Sequence, residues 1–288
     1  MTDDRRLAPD PLAIAPDAVG KGSPCRTHIV ADAVELAEAF AESLMAEYKA
    51  AKAAGRENVV FIVPVGPVGQ FETFAAQANS ERVSLRDLVV INMDEYLTEN
   101  GRDFIAETDP LSFRGHMQRN LWSRLDPAFA PPVEHRHFPH PGDPAATTRL
   151  IERYGGVDVT FGGVGITGHL AFNDPPEPHE PDDVDMFANL PTRVVTLSRE
   201  TLTINAVTAA RGNIERIPRL AITVGMREIL ASRKVRIFMN RPWQSAIVRK
   251  LLHGSVTSRC PASLLQRHGD TVVAMTLEVA QRPEPTLR

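Results

Sequence analysis

Short apolar runs recur along this chain, each stopped by glycine, proline or a polar cluster, with helix-like segments between them. Val59-Val60-Phe61-Ile62-Val63 breaks at Pro64 and Gly66. Leu88-Val89-Val90-Ile91 gives way to Asn92-Met93-Asp94-Glu95, and Val157 to Phe161 runs into Gly162-Gly163-Val164-Gly165. Runs this short suit strands buried on both faces, the usual condition of a parallel sheet. Further strands are expected at 193–197, 220–224, 235–239 and 271–275. Between them, 31–54 carries Val34, Leu36, Ala37, Phe40, Leu44 and Met45 at helical spacing and stops at Gly55. Helices are also expected near 71–78, 111–125 and 144–154, from 199, and over 226–231 and 242–252. Such alternation predicts an α/β fold: a mostly parallel twisted sheet with helices on both faces, a Rossmann-like three-layer sandwich. A loosely ordered tail over 1–27 should precede a single domain over 28–288, with 174–212 as a candidate lid.

The formal net charge of −4 removes any bulk pull toward nucleic acid or an anionic membrane. No apolar run reaches the roughly 18 residues that a membrane span needs. The N-terminus lacks the apolar centre of a secretory signal, so a cytoplasmic location is expected. Cys25 and Cys260 stand far apart in no metal-type spacing and read as free thiols in a reducing compartment. The 23 prolines cluster around 127–144 and 175–191, which marks two extended surface segments.

In sheets of this kind ligands sit at the carboxyl ends of the strands. Three such ends carry polar, charged or glycine-rich residues. Asp94 and Glu95 follow a buried strand, where partial burial raises a carboxyl toward neutrality and suits it to general-base work; an N-cap is the structural alternative. His169 lies in a glycine-rich turn, with Asp174 five residues later. An imidazole beside a carboxylate can move protons near neutral pH; a histidine bonded to loop backbone is the alternative. Val65, Gly66 and Pro67 lie in a loop that exposes backbone N–H groups before a helix, a weak anion cradle because Pro67 removes one donor. His135, His137 and His140 could hold a transition metal, but their proline-rich setting favours solvated surface. The acidic stretch from Glu177 to Asp185 reads as a solvated loop or a mobile lid.

Asn92-Met93-Asp94-Glu95-Tyr96, Ser112-Phe113, Arg119-Asn120, Gly162-Gly163-Val164-Gly165 with Gly168-His169-Leu170-Ala171-Phe172-Asn173, and Ala221-Ile222-Thr223-Val224-Gly225 occur in the order in which glucosamine-6-phosphate deaminases carry them. Over about residues 30–280 the chain resembles that family more than the related 6-phosphogluconolactonases. The resemblance implies an aldose-to-ketose conversion of an amino-sugar phosphate with release of ammonia, no metal or organic cofactor, and a homo-oligomer. It makes Asp94, with Glu95 beside it, the group that moves a proton between C2 and C1, and His169, assisted by Asp174, the group that opens the ring. It places substrate contacts at Val65, Gly66, Pro67, Gly163, Thr167, Arg193, Arg241 and Gln244.

The departures from the family pattern concern charge. Thr167 stands where the family has an aspartate, and Asp174 where it has a glutamate. The loop at 65–69 lacks the family's hydroxyls. The family's two phosphate cations fall at Val207 and Gln244, with Arg241 as a substitute nearby and Arg193 at a position associated with an effector phosphate. Each lost charge-assisted bond is worth about 1.5–3 kcal/mol, so a substrate other than ordinary glucosamine-6-phosphate is expected. Two further readings are a lactonase-type hydrolase, in which His169 activates water, and a non-catalytic sugar sensor. The segment before the first helix is short for the DNA-binding module that such a sensor would use.

Overall fold

The computed structural model describes residues 10–285. In chain order the strands and α-helices are β1 (Arg26–Val30), α1 (Ala33–Ala53), β2 (Val59–Val63), α2 (Gln70–Ser80), β3 (Leu88–Asn92), β4 (Asp94–Tyr96), α3 (Phe113–Met117), β5 (Arg136–His137), α4 (Ala145–Arg153), β6 (Val159–Gly162), α5 (Val184–Ala188), β7 (Arg193–Thr196), α6 (Arg199–Ala209), β8 (Leu220–Thr223), α7 (Met226–Leu230), β9 (Lys234–Met239), α8 (Ser245–His253), β10 (Thr271–Thr276) and α9 (Leu277–Ala280). Local chemistry sets several of these bounds. Asp32 Oδ1 accepts from the amides of Val34 and Glu35 and starts α1. The Ser112 hydroxyl accepts from the Gly115 amide and starts α3. The helical path expected over 111–125 runs through α3 and then widens into a π-helical turn at Gln118–Trp122.

Seven strands pair in parallel in the order β1-β10-β9-β6-β2-β3-β5. Every residue of β2, β3 and β6 is buried, as the apolar runs at 59–63 and 88–91 predicted for the first two. Successive side chains of β2 alternate between two cores. Val60 and Ile62 join Val89, Ile91, Val235 and Ile237 on one face. Val59, Phe61 and Val63 join Phe40, Phe74 and Phe161 on the other. The chain winds outward in one direction from β2 to β5 and in the other from β6 to β10. Its switch point therefore lies between the neighbours β2 and β6, where ligand crevices form in open sheets.

β7 and β8 do not extend this sheet, contrary to the sequence expectation. They form a second, antiparallel sheet in the order β4-β8-β7, with Asp94 opposite Thr223 and Thr223 opposite Arg193. Exposure alternates along β7, which fits a strand covered on one face only. The expectation of a loose tail over 1–27 also needs correction. Residues 11–13 and 16–18 form short 3-10 turns, Val19 and Cys25 are buried, and β1 begins at Arg26. Arg249 explains the anchoring. It is fully buried and donates to backbone carbonyls alone: Ile14 in this segment, Ser245 in α8, and Ala280 and Gln281 at the far end of the chain. Residues 1–9 of the expected tail lie outside the described residues. Among the described residues, no helix is long and apolar enough to cross a membrane.

Candidate active site

The carboxyl ends of β2, β3, β6 and β9 surround a cavity of about 420 Å³ at the switch point. The loop after β2 supplies Pro64 to Val68, β4 supplies Asp94 and Tyr96, and the loop after β6 supplies Gly163, Val164, Gly165 and His169. Asn240, Arg241, Trp243 and Gln244 enter after β9, and α6 contributes Asn205, Thr208 and Ala209. Asp94 and His169 thus face one hollow. Val65, Gly66, Pro67, Gly163, Arg241 and Gln244 face it as well.

Asp94 is nearly buried, and burial together with the neighbouring Glu95 charge pushes its carboxyl up to about 8. Glu95 behaves differently, and its expected place among the catalytic residues is not what the structure gives. Strand alternation turns it away from the cavity wall and into full burial. There it accepts from the Tyr96, Phe113 and Arg114 amides and the Ser112 hydroxyl, at 2.8, 3.1, 2.8 and 2.9 Å. Burial raises the Glu95 carboxyl, against these bonds. The capping alternative describes Glu95: it ties β4 to the start of α3.

His169 is held from one side. Its Nδ1 lies 2.8 Å from Asp174 Oδ1 and 2.9 Å from Thr167 Oγ1. Thr167 and Thr201 each donate to the same Asp174 oxygen at 2.8 Å, and the Ser198 amide reaches Oδ2 at 3.3 Å. Burial would raise the Asp174 carboxyl, but bonds from His169, Thr167 and Thr201 hold it well below the usual carboxylate range. Facing an ionised carboxylate, Nδ1 carries the proton, and Nε2 is left for the cavity. Two glycines make room for this turn. A Cβ on Gly165 would stand 1.9 Å from His169 Nε2, and Gly168 takes φ +84 with Cys260 Sγ against it.

The remaining candidates divide. Thr167 and Asp174 do not line the cavity; they stand behind His169. Gln244 lines it with a committed carboxamide, donating to the Val164 carbonyl at 2.7 Å and accepting from the Arg241 amide at 2.8 Å. Arg241 is the one arginine or lysine lining the cavity among the described residues. Arg193 does not reach it, donating instead to Asn173 Oδ1 at 2.7 Å and to the Pro191 carbonyl. Val207 is exposed, in a separate hollow with Ile166 and Thr203. The three clustered histidines do not converge. His135 meets the Arg86 carbonyl and His140 accepts from the Gly142 amide, and among the described residues no cluster of His, Cys, Asp and Glu could hold a metal ion. Cys25 and Cys260 are free and buried. Sequence reasoning did not single out Asn205, which donates to Tyr96 Oη at 2.9 Å, or Thr201. Both sit on α6, and no local signal links that helix to the catalytic loops.

The chain has the three-layer α/β fold of a glucosamine-6-phosphate deaminase and of 6-phosphogluconolactonases of known structure. A monomeric glucosamine-6-phosphate deaminase of known structure superposes with a TM-score of 0.72 at 25% identity, over 88% of this chain and 98% of that one. A 6-phosphogluconolactonase from Thermotoga maritima shares the fold at a TM-score of 0.60 and 14% identity, over 88% of this chain and 99% of that one. No family model matches the sequence. Glucosamine-6-phosphate deaminase of Lachnoclostridium phytofermentans is 29% identical over 218 residues, 74% of this chain and 84% of that protein. The Shewanella loihica protein of the same name is 28% identical over 263 residues, 88% of each chain. Over most of its length the chain is thus similar to glucosamine-6-phosphate deaminases.

Proposed function

We propose that the chain is an amino-sugar-phosphate isomerase and deaminase acting on glucosamine-6-phosphate or a close variant of it. The observation that carries this reading is the shared cavity: a carboxyl poised near neutrality and a carboxylate-held imidazole face one hollow. In the proposed sequence, His169 Nε2 takes the proton of the C1 hydroxyl and passes it to the ring oxygen as the C1–ring-oxygen bond breaks, leaving an open-chain aldehyde. Asp94 removes the C2 proton, and the electron pair forms the enolamine. The same carboxyl, its proton exchangeable with solvent, then protonates C1. Water then adds at C2, and ammonia leaves as the ketone forms. The apolar walls, among them Phe113, Phe172, Phe238 and Trp243, exclude water and strengthen the interaction of Asp94 with developing charge.

Arg241 is the proposed anchor of the substrate's anionic group, in a cavity wall shared with the loop at 65–68. It takes the place of the cations that Val207 and Gln244 do not supply. A charge-assisted bond of about 1.5–3 kcal/mol corresponds to roughly a tenfold to hundredfold change in affinity. Arg241→Ala should therefore raise KM by that factor and change kcat little, in steady-state assays. Ammonia release measured across amino-sugar phosphates tests the assignment; lactone hydrolysis without ammonia release would replace it with a hydrolase. The segment 174–212 lends α6 to the cavity wall, which supports a role as a lid. The homo-oligomer implied by the family resemblance is part of the proposal, and sedimentation velocity tests it.

A further inference from the structure

Thr201 stands in the first turn of α6, fully buried and distant in sequence from the catalytic loop. Its hydroxyl donates to Asp174 Oδ1 at 2.8 Å and lies 3.3 Å from His169 Nδ1. Its amide donates to the Ser198 hydroxyl, and the Ser198 amide in turn reaches Asp174 Oδ2. The carboxylate thus sits over the start of an 11-residue helix, with one oxygen shared by Thr167, Thr201 and His169.

We propose that Thr201 is a positioning residue of this site: by donating to Asp174 Oδ1 it fixes the carboxylate that holds His169 Nδ1, and so keeps the imidazole in one tautomer and orientation, with Nε2 open to the cavity. Its functional meaning rests on the reading of His169 as the ring-opening group. Other titratable or charged groups surround the imidazole. Asp94, His116 and Arg241 share its cavity, Cys260 packs against Gly168 from the segment after α8, and Arg193 binds the nearby Asn173. Among the described residues, the side chains hydrogen-bonded to the ring are Asp174, Thr167 and Thr201 alone.

The test is an NMR reading, at one fixed pH, of the two His169 ring-nitrogen shifts in the native protein, Thr201→Val and Thr201→Ser. Valine keeps the volume and removes the donor; serine keeps the donor. The native and serine proteins should show the widely separated pair of shifts of a single Nδ1-protonated form, and in the valine variant the two shifts should move toward each other as the tautomers mix. Thr201→Ala serves for the comparison should the valine variant not fold. A donor-free variant whose two shifts match the native values, or a serine variant displaced as far as the donor-free one, overturns the proposal. The reading needs no substrate, so its failure is distinct from failure of the deaminase reading, which ammonia release decides.

Discussion

Asp94 and Glu95 are chain neighbours with the same functional group, and the alternation of a single short strand gives them opposite tasks. Asp94 faces the cavity while itself nearly buried, and burial and the adjacent carboxylate disfavour its charge. A general base works only when ionised, so kcat/KM should rise with pH and level off above about 8, in a profile taken with saturating buffer controls. A profile already flat from pH 6 upward would contradict the assignment. The same shift has a consequence for stability. Between its ordinary value of 3.8 and about 8, the folded chain keeps a proton on Asp94 that the unfolded chain has released. Raising the pH through that window therefore weakens the fold. Asp94→Asn removes this term, so its Tm should fall less than that of the native protein between pH 5 and pH 8.

Glue between elements is the other use the chain makes of a carboxylate. Glu95 joins β4 to the start of α3, and β4 reaches β8 through the Asp94–Thr223 pairing. Glu95→Ala would leave the Ser112 hydroxyl and the Phe113 and Arg114 amides without their buried acceptor. A loss of about 3 kcal/mol of folding stability is expected by denaturant titration. Glu95→Ala with unchanged stability and no turnover would instead place Glu95 in the chemistry. The sequence presented Asp94-Glu95 as a pair at a strand end, and periodicity told base from cap only once β4 was known to be a strand. β4 is three residues long and owes its existence to pairing with β8, which lies far along the chain. Such an element has no local pattern to read.

The main sheet was legible because β2 and the first four residues of β3 are unbroken apolar runs, a pattern that few other environments tolerate. The antiparallel sheet was not, since Arg193-Val194-Val195-Thr196 and Leu220-Ala221-Ile222-Thr223 fit either partner set. β1 was hidden as well: Arg26-Thr27-His28 is mostly exposed, and its place comes from the β10 edge beside it. The loops that line the cavity could be read because glycines and titratable side chains concentrate there, whereas the supports on α6 could not, because Thr201 looks like any other helix residue. At the scale of the whole molecule, two half-sheets meet at one switch point and bring Asp94 and His169 to one hollow. The most direct measurement is incubation with glucosamine-6-phosphate in deuterated water, following ketose phosphate, its C1 deuterium and ammonia together by NMR. The native protein should yield ketose and ammonia in equal amounts with solvent deuterium at C1, and Asp94→Asn should slow this by roughly a thousandfold. Native-rate turnover by Asp94→Asn, or no ammonia from glucosamine-6-phosphate and its close variants with the native protein, would contradict the account.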